Sequence, residues 1–375
     1  MPGLLPDVDP HGLLEYSVVY TDRSLNHMSA SFQTVMKDIA QMLKSIYGAA
    51  SAVVVPGSGT YGMESVARQF ASGQKCLVVR NGWFSYRWTQ ILEMGNIAAE
   101  HFVMKARPLG DSATAPYQPA PIEEVVETIR REQPSMVFAP HVETSSGMIL
   151  PDDYIAALGK AVHEAGGMLV LDCIASGTLW IDMQKLGVDV LISAPQKGWS
   201  GPPCCGLVML NDRALARLEE TESSSFAMDL KKWQQIMQAY LEGAHAYHAT
   251  MPTDALRQFR NVMLEAKSLG FELLKQRQQE LGDRVRALLR EKGINSVAAD
   301  GFAAPGVVVS YTRDSDIQSG KKFALQGMQI AAGVPLMCDE GEDFQTFRLG
   351  LFGLDKLQDV DKAVARLSAV LDAVS

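Results

Sequence analysis

The 375-residue chain has little cysteine: Cys76, Cys173, Cys204, Cys205 and Cys338 are its five. The number is odd and the spacing matches no zinc site, so neither a disulfide framework nor a structural metal centre follows from it; reduced thiols in the cytosol fit best. Positive charge is also in short supply. Against 43 Asp and Glu stand 34 Lys and Arg, a formal net charge of −9. A nucleic-acid backbone would meet repulsion over most of such a surface. The opening stretch MPGLLPDVDPHGLLEY lacks a basic start followed by an apolar core, which argues against a secretory leader. No apolar run approaches the roughly 20 residues needed to cross a bilayer. Internal repeats and low-complexity segments are missing as well. The expectation is a soluble, cytoplasmic protein that binds neither nucleic acid, membrane nor metal.

What remains is ordinary globular composition, with 47% hydrophobic and 21% charged residues, enough apolar side chains for a sizeable core. The length exceeds what one core usually serves. Residues 1–20 read as an irregular arm, 21–253 as a large domain and 254–375 as a smaller one. In SASFQTVMKDIAQMLKSIYG the apolar residues Phe32, Val35, Met36, Ile39, Met42, Leu43 and Ile46 recur at the spacing of one helix face, with Ser29 or Ser31 as the N-cap and Gly48 as the stop. Strands at 52–55, 76–79, 99–104, 135–139, 168–171, 189–192 and 206–210 then alternate with helices from 61 and over 84–94, 121–132 and 152–165. Several strands are continuous apolar runs (VVV, LVV, MVFA, MLVL), as in a sheet covered on both faces. The fold class is therefore α/β, with a mainly parallel seven-stranded sheet. Beyond residue 213 come long helical patterns at 229–242 and 254–293, a strand at 306–311, a helix at 320–332, a strand at 345–349 and a closing helix at 357–374, an α+β pattern.

In SAVVVPGSGTYGMES, residues 51–65, a strand breaks into Gly57, Gly59 and Gly62 and then opens a helix. Unsatisfied N–H groups and the helix dipole make such a turn an anion site. The G-x-G-x-x-G spacing is the dinucleotide fingerprint, but the spacing alone does not say which phosphate it serves. In open α/β sheets ligands sit beyond the carboxyl ends of the strands. Three further polar clusters fall there: APHVETSSG at 139–147, LDCIASG at 171–177 with Asp172 at the strand end, and SAPQKGWSGPPCCG at 193–206 with Lys197. Singly, each is a turn or a surface charge. Together they place an anion cradle, an acid and a lysine on one edge of one sheet. Pyridoxal 5′-phosphate (PLP) needs those parts: N–H groups for its phosphate, a lysine amine for its aldehyde, and a carboxylate to keep its ring nitrogen protonated.

The segments PGSGTYGMES, NGWFSYR, HVETSSG, LDCIASG, SAPQKGW, HAYHATMP and FRLGLFG resemble those of the class V aminotransferases of PLP fold type I, most of all the alanine–glyoxylate and serine–pyruvate aminotransferases. The matches run in order from about residue 51 to 353. The resemblance implies a homodimer with shared active sites that transaminates a small L-amino acid, such as alanine or serine, with a 2-oxo acid such as glyoxylate or pyruvate. It implies Lys197 as Schiff-base lysine and proton shuttle, and Asp172 as partner of the ring nitrogen. Ser58, Gly59 and Thr60 would hold the phosphate. Phe84 would cover the ring face, with Trp83 one residue away, and Thr144 and Gln196 would orient the cofactor. Tyr247 and Thr250 would reach the phosphate from the neighbouring subunit, and Arg348 would clamp the substrate carboxylate. Relatives carry a Pro-Gly-Pro stretch near the N-terminus that lines the substrate pocket; here the comparable region is LEYSVVYTDRSLNHMS, where Tyr16, Ser17 or Tyr20 takes its place. Ala194-Pro195 replaces a small hydroxyl residue ahead of the lysine.

Other readings make different demands. An NADP-dependent oxidoreductase would use Arg80, after KCLVV, for a 2′-phosphate. A cysteine desulfurase or lyase of the same fold would need a reactive Cys338, ten residues before Arg348, yet acidic neighbours raise a thiol's pKa. Transamination of 2-aminoethylphosphonate keeps the cofactor and changes the donor.

Overall fold

The computed structural model describes residues 8–374. Residues 1–7 of the expected arm and Ser375 lie outside the described residues, and 8–29 carry no helix or strand before α1 (Ala30–Tyr47). That helix starts where Ser29 accepts a hydrogen bond from Phe32 N and ends at Gly48, whose φ of 65° lies in the left-handed region.

Seven strands form the large sheet: β1 (Ser51–Pro56), β2 (Lys75–Arg80), β3 (Glu100–Lys105), β4 (Met136–Pro140), β5 (Met168–Asp172), β6 (Val190–Ser193) and β7 (Cys205–Leu210). Their spatial order is β1-β7-β6-β5-β4-β2-β3. β7 runs antiparallel to both neighbours, and the other pairs are parallel. β4 to β7 are buried along their whole length, which is what their continuous apolar runs require. Because β7 is the one reversed strand, β1, β2, β4, β5 and β6 all point the same way and their following loops share one edge. Register keeps that edge level: Asp172 pairs with Pro140 of β4 and with Ile192 of β6.

Two close backbone approaches set the shape of the edge. Helix α2 (Gly59–Phe70) lies against β7 so tightly that a Cβ on Gly206 would stand 2.8 Å from Gly62 Cα and 2.9 Å from Ser58 O. A Cβ on Gly198 would stand 1.9 Å from Gly177 O, so only glycine brings the Lys197 loop down onto the loop after β5.

The C-terminal part holds a three-stranded antiparallel sheet in which Thr346–Gly350 lies between Val307–Tyr311 and Ala331–Ala332. Two sequence expectations need correction here. The helix read as 254–293 is two, Thr253–Leu269 and Phe271–Glu291, broken at Gly270, whose φ of 94° no α-helix continues. The helix read as 320–332 stops at Leu325; Gly327, with φ at 74°, turns the chain so that Ala331–Ala332 joins the sheet. A further helix, Asp212–Glu220, capped by Asn211, lies in a stretch assigned to no element from sequence. Thr253–Leu269 links the two parts: Leu256, Phe259 and Met263 belong to the core under the large sheet, and Ala266 to the core beyond it.

Replacing Gly206 with Ala is expected to destabilise the protein by about 1–3 kcal/mol, the usual cost of forcing atoms into a packed interior. Urea denaturation measures it, and an unchanged midpoint would contradict the packing described.

Candidate active site

Asp172 is the last residue of β5 and only 8% exposed. Its carboxylate accepts a hydrogen bond from Ile174 N at 2.9 Å and, among the described residues, has no cation at ion-pair distance. Burial is the main cause that pushes this carboxyl up to about 7, and the nearby Glu143 adds to it, while Arg87 and Lys197 pull the other way. Lys197 stands in the loop joining β6 to β7, half-buried, with its Nζ 5.6 Å from the centre of the Phe352 ring and no acid paired with it. Burial first, then Arg348 and Arg87, lower its pKa against the opposing pull of Asp172. An acid pushed towards its neutral form and an amine pushed towards losing its proton thus share one edge, and neither pairs with the other.

The phosphate candidates lie across from them. Ser58 is the N-cap of α2, yet its hydroxyl makes no capping hydrogen bond. Gly62 N is the first amide of the turn to find a helical acceptor, Ser58 O, at 3.1 Å. The amides ahead of it are the orphans every helix start leaves. Gly59 is buried, and a Cβ there would stand 2.6 Å from Ile174 Cδ1, so a larger residue would have to push the Ile174 side chain aside. Thr60 Oγ1 accepts from Arg87 at 2.8 Å.

Phe84 stands in the first turn of helix α3 (Trp83–Met94), which follows β2. Two guanidinium groups flank its ring, Arg87 at 5.2 Å and Arg348 at 5.6 Å from the centroid. Trp83 turns instead to Tyr86. Arg348, on Thr346–Gly350 of the small sheet, donates to Ala332 O at 2.7 Å and to Thr144 O at 3.4 Å. Those are backbone carbonyls, so its charge is unpaired, and Thr144 is brought to the site with it. Gln196 is exposed and shares with Lys197 and Phe352 a cavity of about 370 Å³.

Five candidates, Tyr247, Thr250, Tyr16, Ser17 and Tyr20, have their contacts elsewhere within the chain. Tyr247 is 53% exposed and bonds Thr250 at 3.0 Å, with His27 as its ring neighbour. Tyr16 is 90% exposed, and Ser17 accepts from Asn26 at 3.1 Å. Tyr20 bonds Met251 O at 3.1 Å.

Two residues that carry the alternative readings are buried and occupied. Arg80 is 6% exposed and donates to Thr89 and to Met337 O, which corrects the expectation that it could meet a 2′-phosphate. The thiol of Cys338 is buried against Arg80 O and pushed up to about 12 by burial and by Glu143 and Glu340, so it is not poised as a nucleophile.

Sequence reasoning passed over Glu143. This carboxylate is 0% exposed and accepts from Phe84 N, Ser85 N, Ser85 Oγ, Ser145 N and Ser145 Oγ at 2.7–3.2 Å. It caps α3 and ties that helix to the loop after β4, which fixes where Phe84 stands. His141 was passed over too. It is buried, held neutral by desolvation that lowers its pKa to about 3, and bonded through Nδ1 to Ser176 Oγ at 2.7 Å.

This geometry is that of a PLP enzyme. An unpaired buried carboxylate, an accessible amine and an unfilled helix start on one strand edge fit the ring nitrogen, the aldehyde and the phosphate of that cofactor. The family model "Aminotransferase class-V" matches residues 13–318, and the chain belongs to this PLP-dependent family. Its relatives include the soluble hydrogenase small subunit of Synechococcus sp., 25% identical over 92% of this chain and 87% of that one. The alanine–glyoxylate aminotransferase of Rattus norvegicus is 28% identical over 74% of this chain and 65% of that one. The crystal structure of an alanine–glyoxylate aminotransferase from Nostoc sp. shares the fold, with a TM-score of 0.76 at 20% identity over 92% of this chain and 88% of that one. Among the described residues no helix is long and apolar enough to cross a membrane.

A pH dependence follows from Asp172. Its unfolded pKa is about 3.9, so between about pH 4 and 7 the folded state binds more protons than the unfolded one, and stability falls as pH rises through that window. In the cofactor-free protein, Asp172→Asn should raise the unfolding free energy at pH 8 by roughly 1–4 kcal/mol and change it little at pH 4. Denaturant titrations at the two pH values measure the difference, and an equal effect at both would contradict the assignment.

Proposed function

We propose that this protein transaminates a small L-amino acid such as alanine or serine with a 2-oxo acid such as glyoxylate or pyruvate, as a cytoplasmic homodimer. The observation that carries this reading is the pair of unspent charges, Asp172 and Lys197, on the edge that Arg348 overlooks. Residues 21–253 form the large domain in this reading and 254–375 the small one, so Arg348 arrives from across the domain junction. When bound, PLP supplies an aldehyde for the substrate amine and a protonated ring that accepts electron density from Cα.

The chain's own residues do the rest. Asp172 holds the proton on the ring nitrogen; pairing with that cation stabilises its ionised form and relieves the cost of its burial. Ser58, Gly59 and Thr60 bind the phosphate, and Gln196 helps to orient the cofactor. Phe84 covers one ring face and Thr144 closes on the ring edge. Arg348 grips the α-carboxylate through a two-pronged contact a lysine could not make. Lys197 takes the proton from the substrate Cα and delivers it to the carbon on the far side of the amine nitrogen, C4′ of the cofactor, a task suited to an amine whose pKa is lowered. Tyr247 and Thr250 complete the phosphate site of a second copy; their exposure away from the Lys197 edge supports that placement. Tyr16 and Ser17 would reach a substrate pocket in the same way, and the exposed Leu13, Leu14 and Val18 beside them suit a covered surface. A single carboxylate-reading arginine suits a small monocarboxylic donor better than 2-aminoethylphosphonate, and the buried Cys338 disfavours desulfurase chemistry.

Amino acids added one at a time to the cofactor-loaded protein should bleach its visible band with alanine or serine, and glyoxylate or pyruvate should restore it. No response to either donor would refute the substrate class. Lys197→Ala should abolish the exchange, and Arg348→Gln should raise the KM for the amino donor by about 10- to 100-fold, the worth of a charge-assisted bond. Cys338→Ala should leave turnover intact, and its loss would revive the thiol reading.

A further inference from the structure

The phosphate cradle assembled above has a charge problem. A phosphate monoester brings about −1.5 to −2 at neutral pH. Ser58, Gly59, Thr60, Tyr247 and Thr250 carry no formal charge, and a helix start contributes only about half a positive charge. Burying an anion against neutral donors alone is costly. The two cations already assigned are committed, Lys197 to the aldehyde and Arg348 to the substrate carboxylate.

One more cation reaches the turn. Arg87 lies three residues beyond Phe84 on α3, one helical turn along the same face. Its Nη1 donates to Thr60 Oγ1 at 2.8 Å, and its guanidinium carbon lies 5.2 Å from the Phe84 ring centroid. Among the described residues it has no carboxylate at ion-pair distance, and the other N–H groups of its fork are available. It is near enough to the centre to act on both Asp172 and Lys197. Its reach is preset, because the buried Glu143 pins the first turn of α3 through Phe84 N and Ser85 N.

We propose that Arg87, bonded to Thr60, is a phosphate-recognising residue that supplies the fixed positive charge of the cofactor's phosphate cradle. The inference rests on the assignment of the Ser58–Thr60 turn as the phosphate site. It also gives Thr60 a definite role: its hydroxyl, accepting from Arg87, has its own proton free to donate to a phosphate oxygen.

The test compares PLP with pyridoxal, which has the same ring and aldehyde and no phosphate. Each is titrated into cofactor-free wild type and Arg87→Gln, with visible absorbance as the readout. Arg87→Gln should weaken PLP binding by roughly 10- to 100-fold, the range of a charge-assisted hydrogen bond, and leave pyridoxal binding unchanged; Arg87→Lys should recover part of the loss. Unchanged pyridoxal binding also shows that the variant is folded. Should Arg87→Gln not fold, Arg87→Met, which keeps the hydrocarbon stem over Phe84, decides by the same comparison. Equal weakening of both compounds, or of neither, overturns the proposal. So does unchanged cofactor binding with selective loss of aspartate or 2-aminoethylphosphonate as donors, which would make Arg87 a reader of a distal substrate anion. Failure of the wild type to develop a visible band with either compound would instead refute the PLP site itself.

Discussion

Asp172 ends a wholly buried strand with one backbone N–H for company, and Lys197 hangs over an aromatic ring with no acid beside it. Two opposite charges on the same edge that do not pair leave each in a less comfortable state. The carboxyl is pushed towards its neutral form and the amine towards losing its proton. Much else in the structure follows from keeping them apart yet close. Gly198 allows the lysine loop to rest on the loop after β5, and register holds Asp172 level with the ends of β4 and β6. The site gives up stability in exchange for reactivity, and a ligand with a cationic ring nitrogen and an aldehyde returns both groups to favourable states.

Around that pair, the first turn of α3 is held more firmly than anything else at the edge. Glu143 gathers five donors from two segments, a buried carboxylate at a helix start with hydrogen bonds of 2.7–3.2 Å. Buried charge is tolerated there because the donors are backbone amides and hydroxyls aimed at it. Phe84 and Arg87 ride on that turn, so one buried acid positions both an aromatic face and a guanidinium. Arg348, on a strand of the small sheet, also comes to the Phe84 ring, which makes that ring a contact point between the large sheet's edge and the small sheet.

Much of this was legible in the sequence. Continuous apolar runs announced the inner strands of the large sheet, because a strand covered on both faces has nowhere to put a polar side chain; the half-exposed edge strand β3 was legible only from its place in the alternation. Asp172 and Lys197 stood out by breaking those runs at their ends. What could not be read was conformation carried by single glycines: Gly270 and Gly327 look tolerable inside helical patterns, and only their positive φ shows that the chain turns. Glu143 and Arg87 were in view within HVETSSG and NGWFSYR, but their meaning depends on contacts between segments 58 and 27 residues apart. The three-residue spacing from Phe84 to Arg87 was the one local signal for the latter. The roles proposed for Tyr247, Thr250, Tyr16 and Ser17 depend on a second copy, which no pattern along one chain displays.

The central claim is that Lys197 alone among the lysines holds the cofactor. Borohydride reduction of the protein after incubation with PLP, followed by peptide mass spectrometry, tests it directly. The account predicts a pyridoxyl adduct on the peptide carrying Lys197, in about one-to-one yield, and none of comparable yield elsewhere. An adduct spread over surface lysines, or Lys197 recovered unmodified, would contradict it.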